Sequence, residues 1–572
     1  LEERTSAMMP RMNLLIYPLT GAVVVLLSSC MVGPNYQTPK AEVESQWVES
    51  IAVAKHPAGS SDPFWWKKLK DPVLNHLIEI AIKNNPTLQM AGVSILGARA
   101  QLNHAIGNLF PQSQGVSGGS SWYYLPPQSG GGNSSTQFQP GTPLGQAFSQ
   151  QLSNNLNSGG SQLGPNLYLS QFLFNSSWEI DFWGKYRRQV QADKASYLSS
   201  VASYDNALVT LIGDVAASYI NIRTTQELIR VTQENIALQT ESLRIATERF
   251  KAGQVSQQDP EQSQTELSQT QSQIPSLQNT LQQAKNGLAL QLGLTPAAVE
   301  PLLKPGRLPS PPEKIVAGIP VDLLRRRPDV RMAGLNAASQ SALIGVQVAN
   351  ILPAFSLNGT FGYANQGNNN YSLGNIFNWQ NAIVASGGSF TMPVFNYMRL
   401  VNNVRVQNAN FQSAVLNYQN TVLTAQKEVE NGLSQFSYGK QGVVFLENAV
   451  KSSKTSTDLS LYRYKCGQTD YTTVLTAEQQ LMSVESSLVS ARGNVLLGLV
   501  SAYRALGGGW QVREGSDVIS AEVKKEMEKT FWWGQMMKPA RHLPSVAPED
   551  RPVREPKGRP SLPNLLNVNT NS

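Results

Sequence analysis

The side chains that could carry chemistry in this chain are few and scattered. Four histidines and two cysteines leave little material for a metal centre. No HExxH, paired CxxC or phosphate-loop glycine motif is present. Nowhere do a nucleophile, a base and an orienting group fall together, so no catalytic, cofactor-binding or metal-ligating residue is assigned and an enzyme is not expected. What remains is two thiols and two carboxylates. Cys30 follows Leu27-Ser28-Ser29 at the end of an apolar run, and Cys466 reads as an unpaired thiol. Asp259 and Asp470 each stand a few residues beyond a glycine, Gly253 and Gly467. A carboxylate there has a plain reading as a helix N-cap, accepting from free backbone N–H groups. Arg249, Arg463 and Tyr464 lie just before the glycines, where they could clamp a turn or stand in solvent.

The elements that position these residues are two copies of a helical hairpin. Arg249 to Val255 and Arg463 to Thr469 are displaced by 214 residues, and helical pattern flanks both. A helix that reverses needs a residue tolerating positive φ just past its end, which makes Gly253 and Gly467 the tips. At the same displacement Ala195, Tyr197, Val201 and Tyr204 meet Ala409, Phe411, Val415 and Tyr418. Upstream the displacement becomes 242, where Asn85 to Gly92 matches Arg327 to Gly334, so the first copy carries about 28 extra residues. Such self-similarity predicts an internal tandem repeat and overrules a division of the 572 residues into several globules.

Charged residues make up 15% of the chain, against about 25% in ordinary soluble domains. The net charge of +7 comes with no basic run longer than Arg325-Arg326-Arg327. No nucleic-acid recognition motif accompanies it, and no nucleic-acid partner is expected.

Residues 1–29 read as an export signal, with Arg4 and Arg11 before an apolar core from Leu14 to Leu27 that is too short to span a membrane. Leu27-Ser28-Ser29-Cys30 resembles a bacterial lipoprotein signal, in which the cysteine becomes the lipidated N-terminus. Residues 30–84 are a lead-in, where Trp65 and Trp66 fit a small packed cluster better than a membrane interface. Residues 85–293 form the first repeat, 294–325 a Pro-rich linker, 326–510 the second repeat and 511–572 a separate tail. About residues 126–164 are Gly, Ser, Asn, Gln and Pro with almost no charge, an exposed loop.

Each repeat supplies two strands, near 113–125 and 166–178, then 354–363 and 382–392. Phe172, Phe174, Trp178 and Ile180 alternate with polar residues, as do Phe355, Leu357, Phe361 and Tyr363. The apolar face meets a second sheet in a sandwich, or lipid in a membrane barrel. Four strands cannot close a membrane barrel, for which roughly eight are the minimum, so a membrane location demands an oligomer. Helical pattern then runs for 185–250 and 399–464, each roughly 100 Å at 1.5 Å per residue. Helices of that length need lateral partners. Return helices run from Asp259 to Leu292 and from Asp470 to Leu506, and Pro275 should kink the first.

The chain resembles the outer membrane factor family, and within it the lipoprotein branch of efflux channels. The resemblance covers about Cys30 to Trp510 and rests on Leu323 to Val330 (LLRRRPDV), Ser177 to Gly184 (SWEIDFWG), the two tips, and Ala505 to Trp510 (ALGGGW). It implies a homotrimer sharing one twelve-stranded β-barrel, four strands per protomer, continued by a long periplasmic α-helical barrel. The implied function is a passive exit duct for drugs or other small molecules, in the cell outer membrane and lipid-anchored through Cys30. Met31 after the cysteine fits outer-membrane delivery. Implied partners are a periplasmic adaptor (membrane fusion protein), an inner-membrane RND-type transporter and outer-membrane lipid. Gates of the family place acidic side chains after the tip glycine. Asp259 matches that position, while Thr473 and Thr476 stand where related channels carry aspartate and Asp470 lies nearer the glycine. The other readings are a duct for type I protein secretion and, in a different class, a lipid-anchored coiled-coil scaffold or adhesin. Alternating strands between the helices argue against the scaffold.

Overall fold

The computed structural model describes residues 31–44, 46–48, 53–55, 64–124, 166–304, 306–317, 326–367, 376–513 and 517–537. The export segment, Cys30, the uncharged loop and the end of the tail lie outside the described residues. In chain order the elements are β1 (Val53–Lys55), α1 (Pro72–Asn84), α2 (Pro86–Gly107), β2 (Ser113–Tyr124), β3 (Asn166–Ile180), α3 (Lys185–Lys251), α4 (Gln258–Leu292), β4 (Ile315–Ala317), α5 (Pro328–Ala349), β5 (Ala354–Gly367), β6 (Ala382–Thr391), α6 (Tyr397–Lys465), α7 (Tyr471–Ala505) and α8 (Ala521–Thr530). Two units form by contact: one gathers Leu1–Gly33, Asn103–Val190 and Ile344–Arg405, and the other gathers Pro34–Leu102, Gln191–Leu343 and Val406–Ser572.

The first unit is a four-stranded sheet in the order β2-β3-β5-β6, antiparallel throughout. Its register aligns Val116, Phe174, Phe361 and Val384 in one row across all four strands. That row is left open to the surroundings, with Val384 73% and Val116 62% exposed. Fully covering such side chains stabilises by roughly 1.5–3 kcal/mol each, and nothing within the described residues of the chain covers them. The opposite face is polar and bonded to itself. Asn175 donates to the Ser117 hydroxyl at 3.2 Å, Thr360 donates to Asn175 Oδ1 at 3.0 Å, Ser177 donates to Asn358 Oδ1 at 2.7 Å, and Asn358 donates to Ser389 at 3.4 Å. Cross-strand bonds of this kind fix the register, because a slip by one residue would turn the phenylalanines onto the polar face. At the end of β3, Asp181 accepts from the backbone N–H groups of Tyr186 and Arg187 at 3.0 Å and so starts α3.

The second unit is helical. Its core joins Leu74, Leu77 and Ile78 of α1, Leu208, Ile212 and Tyr219 of α3, Leu288 and Leu292 of α4, Leu433 and Phe436 of α6, and Leu496, Leu499 and Tyr503 of α7. Trp65 and Trp66 are buried in it, and Trp65 stacks on Tyr503 with centroids 5.3 Å apart, so the tryptophan pair packs a core. β1 pairs in parallel with β4 beside it. Two stretches that carried the family resemblance meet here. Arg327, buried, donates to Asp329, to Glu428 at 2.7 Å and to the Ala505 carbonyl at 2.7 Å, and the Arg331 guanidinium lies 5.3 Å from the Trp510 ring centroid. Helix α4 continues from Gln258 to Leu292 with Pro275 inside. The carbonyl freed by that proline, on Gln271, lies on an exposed stretch within reach of water.

Part of the tail docks. Ile519, Met537, Val523, Met527 and Trp533 pack against Val93 and Leu96 of α2. Gly92 permits the approach, because a Cβ there would lie 2.2 Å from the Val518 carbonyl oxygen. Phe531 and Trp532 remain exposed.

Candidate functional site

Both hairpins close with the same backbone device. Gly253 and Gly467 take φ of 74° and 72°. Gln254 N–H bonds the Arg249 carbonyl at 2.9 Å and Gly253 N–H the Phe250 carbonyl at 2.8 Å; Gln468 and Gly467 repeat the pair on Arg463 and Tyr464 at 2.9 and 3.0 Å. Only a residue tolerating positive φ can sit where these two bonds cross, so the glycines are structural.

At the tips, three side chains join the hairpins to each other. Arg249, ending α3, donates to the Tyr464 backbone carbonyl and lays its guanidinium 4.5 Å from the Tyr464 ring centroid. Tyr464, fully buried, donates its hydroxyl to Asp259 Oδ2 at 2.9 Å. Burial first, then the bond to Asp259, raises the Tyr464 hydroxyl well above the ordinary tyrosine range, so it stays a neutral donor. Ile245, Ala246, Leu461, Tyr471 and Val474 close around the ring, with Tyr471 edge-on at 5.4 Å. A cation, an aromatic ring and a carboxylate in series make a tether, because each group is positioned by the next.

Arg249, Tyr464 and Asp259 are therefore brought together, and the other candidates are not. Asp259 is not an N-cap: that position belongs to Gln257, and the Asp259 carboxylate turns instead to Tyr464. Asp470 holds the N-cap position of α7 with extended backbone, but its side chain makes no capping bond. Asp470, Arg463, Thr473 and Thr476 are exposed, with the Thr469 hydroxyl donating to Thr473 at 3.0 Å and Thr476 donating to the Thr472 carbonyl at 2.8 Å. Cys466 is an exposed free thiol.

One group went unnoticed in the sequence. Glu478 is fully buried between the hairpins and accepts from the Ser242 hydroxyl. Its spacing could have shown it: Tyr471, Val474, Glu478, Leu481, Glu485 and Leu488 follow one another at alternating intervals of three and four, the seam of a packed helix.

Among the described residues no helix is long and apolar enough to cross a membrane. The family described as "outer membrane efflux protein" matches residues 77–294 and 319–508, well over half of the chain. A toluene efflux pump outer membrane protein of Pseudomonas putida, TtgC, is 26% identical over 508 residues, covering 87% of this chain and 96% of that protein. The outer-membrane channel OprN superposes with a TM-score of 0.74 at 26% identity, over 84% of this chain and all of the other. The Campylobacter jejuni CmeC outer membrane channel, 22% identical, shares the fold with a TM-score of 0.72 over 88% of this chain and 99% of its own. The chain belongs to the outer membrane efflux protein family.

Proposed function

We propose that three copies of this outer-membrane channel protein close one twelve-stranded barrel, continued into the periplasm by a tube built from the paired hairpins. The observation that supports this most is the sheet. β2 and β6 are its edges, each with one neighbour in the chain, and open edges call for partners. One face is apolar and exposed, as lipid contact requires, and the other is a self-bonded polar surface, as a water-filled lumen requires. Three four-stranded sheets joined edge to edge satisfy both edges and both faces.

Conduction is passive, driven by an inner-membrane transporter of the RND type through a periplasmic adaptor that engages the tips. Cargo is small and at least partly apolar, in keeping with a relative named for toluene efflux. The tether of Arg249, Tyr464 and Asp259 holds the closed tip, and the exposed Asp470, Thr473 and Thr476 face the constriction or the adaptor. Cys30 carries the lipid, and the chain is built as two tandem repeats, residues 85–293 and 326–510, joined by the linker 294–325. The deciding experiment is imaging of the detergent-solubilised particle. A hollow threefold cylinder supports the duct, and a monomeric rod refutes it. Growth with radiolabelled palmitate, comparing the native chain with Cys30→Ser, tests the anchor.

A further inference from the structure

Between the two hairpins, above the tyrosine cluster, the helices meet through polar side chains. Gln239 and Ser242 of α3, Ser263, Glu266 and Thr270 of α4, Thr457 of α6 and Glu478 of α7 are all buried. Glu478 has no exposed surface. One of its oxygens takes the Ser242 hydroxyl, and the other has no protein partner. Both polar atoms of the Gln239 amide are likewise without a protein partner.

The charges around this carboxyl are of one sign. From α4 the Glu266 carboxylate faces it, itself bonded by the Gln479 amide at 2.8 Å. From α7 comes Tyr471, whose hydroxyl faces Ser263, and from α6 comes the buried Thr457, which donates to the Ala477 carbonyl at 3.1 Å. Nearer the tip, Asp259 is taken by Tyr464. The cations of α3 are engaged elsewhere: Arg244 with Glu241, Lys251 with Glu248, and Arg249 with Tyr464. Among the described residues no lysine or arginine pairs with Glu478 or Glu266. A carboxylate with no counter-ion and no water access is costly, and the same group protonated is not.

We propose that Glu478 is a protonation switch of the helical end: neutral, it seals α7 against α3, and ionised, it loosens the two hairpins and favours an open tip. The inference rests on the reading of the tips as the constriction. Burial pushes the Glu478 carboxyl up to about 7; the Ser242 hydroxyl opposes this rise and Glu266 adds to it. The sign follows from linkage. The closed end holds its proton at a pH where the loosened, solvated end has released it. Stability of the closed end is therefore complete below the usual carboxylate range and is lost as pH rises through about 7. With about 4.5 for the loosened end, going from about pH 5.5 to about pH 8 favours opening by roughly 30-fold.

The test uses the full-length protein in detergent or nanodiscs. Amide hydrogen exchange over residues 235–250 and 471–485, corrected for intrinsic chemistry, is measured at both pH values alongside single-channel open probability. The wild type should lose roughly 30-fold in protection at the higher pH. Glu478→Gln, which keeps the shape and cannot ionise, should show no such loss and should be at least as protected at the higher pH as the wild type is at the lower one. Equal pH dependence in Glu478→Gln and wild type overturns the proposal. Should that variant fail to assemble, Glu266→Gln gives the second reading: removing its repulsion moves the wild-type transition to lower pH, and an unmoved transition counts against the switch. Exchange that switches as stated while open probability stays flat keeps the switch and removes the constriction reading beneath it.

Discussion

Tyr464→Phe removes one oxygen from the tip and leaves the rest in place. The ring remains under Arg249 at 4.5 Å and edge-on to Tyr471 at 5.4 Å, so packing and the cation–π contact survive. What is lost is the hydroxyl bond to Asp259 at 2.9 Å. A hydrogen bond to a charged group contributes about 1.5–3 kcal/mol, and water reaching the half-buried Asp259 replaces part of it. The net cost is about 1–2 kcal/mol, or about 5–30-fold in the closed-to-open ratio of each chain. If three tips open as one, the effects multiply. The assay is single-channel recording of the purified protein in planar bilayers, with killing by a large antibiotic as the cellular counterpart. The open fraction should rise by at least about fivefold, with susceptibility rising in step. Hydrogen exchange over residues 245–260 supplies the independent check. An open fraction within about twofold of wild type, together with unchanged exchange, would refute the claim that this tether closes the tip.

Other substitutions probe the remaining parts. Phe174→Arg places a charge in the apolar row and should cost about 2–4 kcal/mol if that row lies at mid-membrane, seen as loss of the assembled band on unheated gels; Thr360→Ser on the polar face should assemble normally. Arg513→Ala removes the guanidinium that lies 2.6 Å from Asp205, a carboxylate with no exposed surface. Breaking a buried pair costs about 3–5 kcal/mol, so the melting temperature should fall by several degrees, more than for Arg492→Ala, which breaks only the exposed pair with Glu447. Gly92→Val pushes a side chain into the Val518 carbonyl and should release α8, read as rapid protease cleavage after residue 513 with the rest of the chain intact.

The sequence is most legible where one physical constraint acts on neighbours in the chain. Phe172, Phe174, Trp178 and Ile180 mark a strand because a pleat allows nothing else at period two, and β5 runs on to Gly367 only because its partner β3 continues beside it. The tip glycines are legible because positive φ excludes most other residues. Asp259 reads as a cap, wrongly, because its real partner lies 205 positions away and no local pattern reports that. Glu478 is hidden by its setting, among glutamines that are exposed, although its seam spacing carries the signal. The docked part of the tail is invisible for a third reason: it depends on a missing Cβ at Gly92, which reads as helix pattern like its neighbours.

The two tips share a backbone but not this set of side-chain contacts, and of the three pairs of residues concerned two differ. Positions 214 apart set Arg249 against Arg463, Phe250 against Tyr464, and Asp259 against Thr473. The tether takes its arginine and carboxylate from the first hairpin and its tyrosine from the second. Its mirror image would need Arg463, a hydroxyl at Phe250 and an acid at Thr473. Phe250 has none to give and is 40% exposed, and Thr473 is engaged with Thr469. Each chain therefore carries one side-chain tether of this kind, although its backbone turns would accommodate two. With two equivalent tethers, neither hairpin could leave without breaking both. With one, the loss of Tyr464 from Asp259 removes the only carboxylate of this tether and leaves the Arg249 contact, the ring packing and the buried layer holding Glu478 as the remaining restraints. On the reading proposed above, the end is held twice, by a tether whose tyrosine hydroxyl burial keeps neutral and by a buried carboxyl that burial pushes up to about 7.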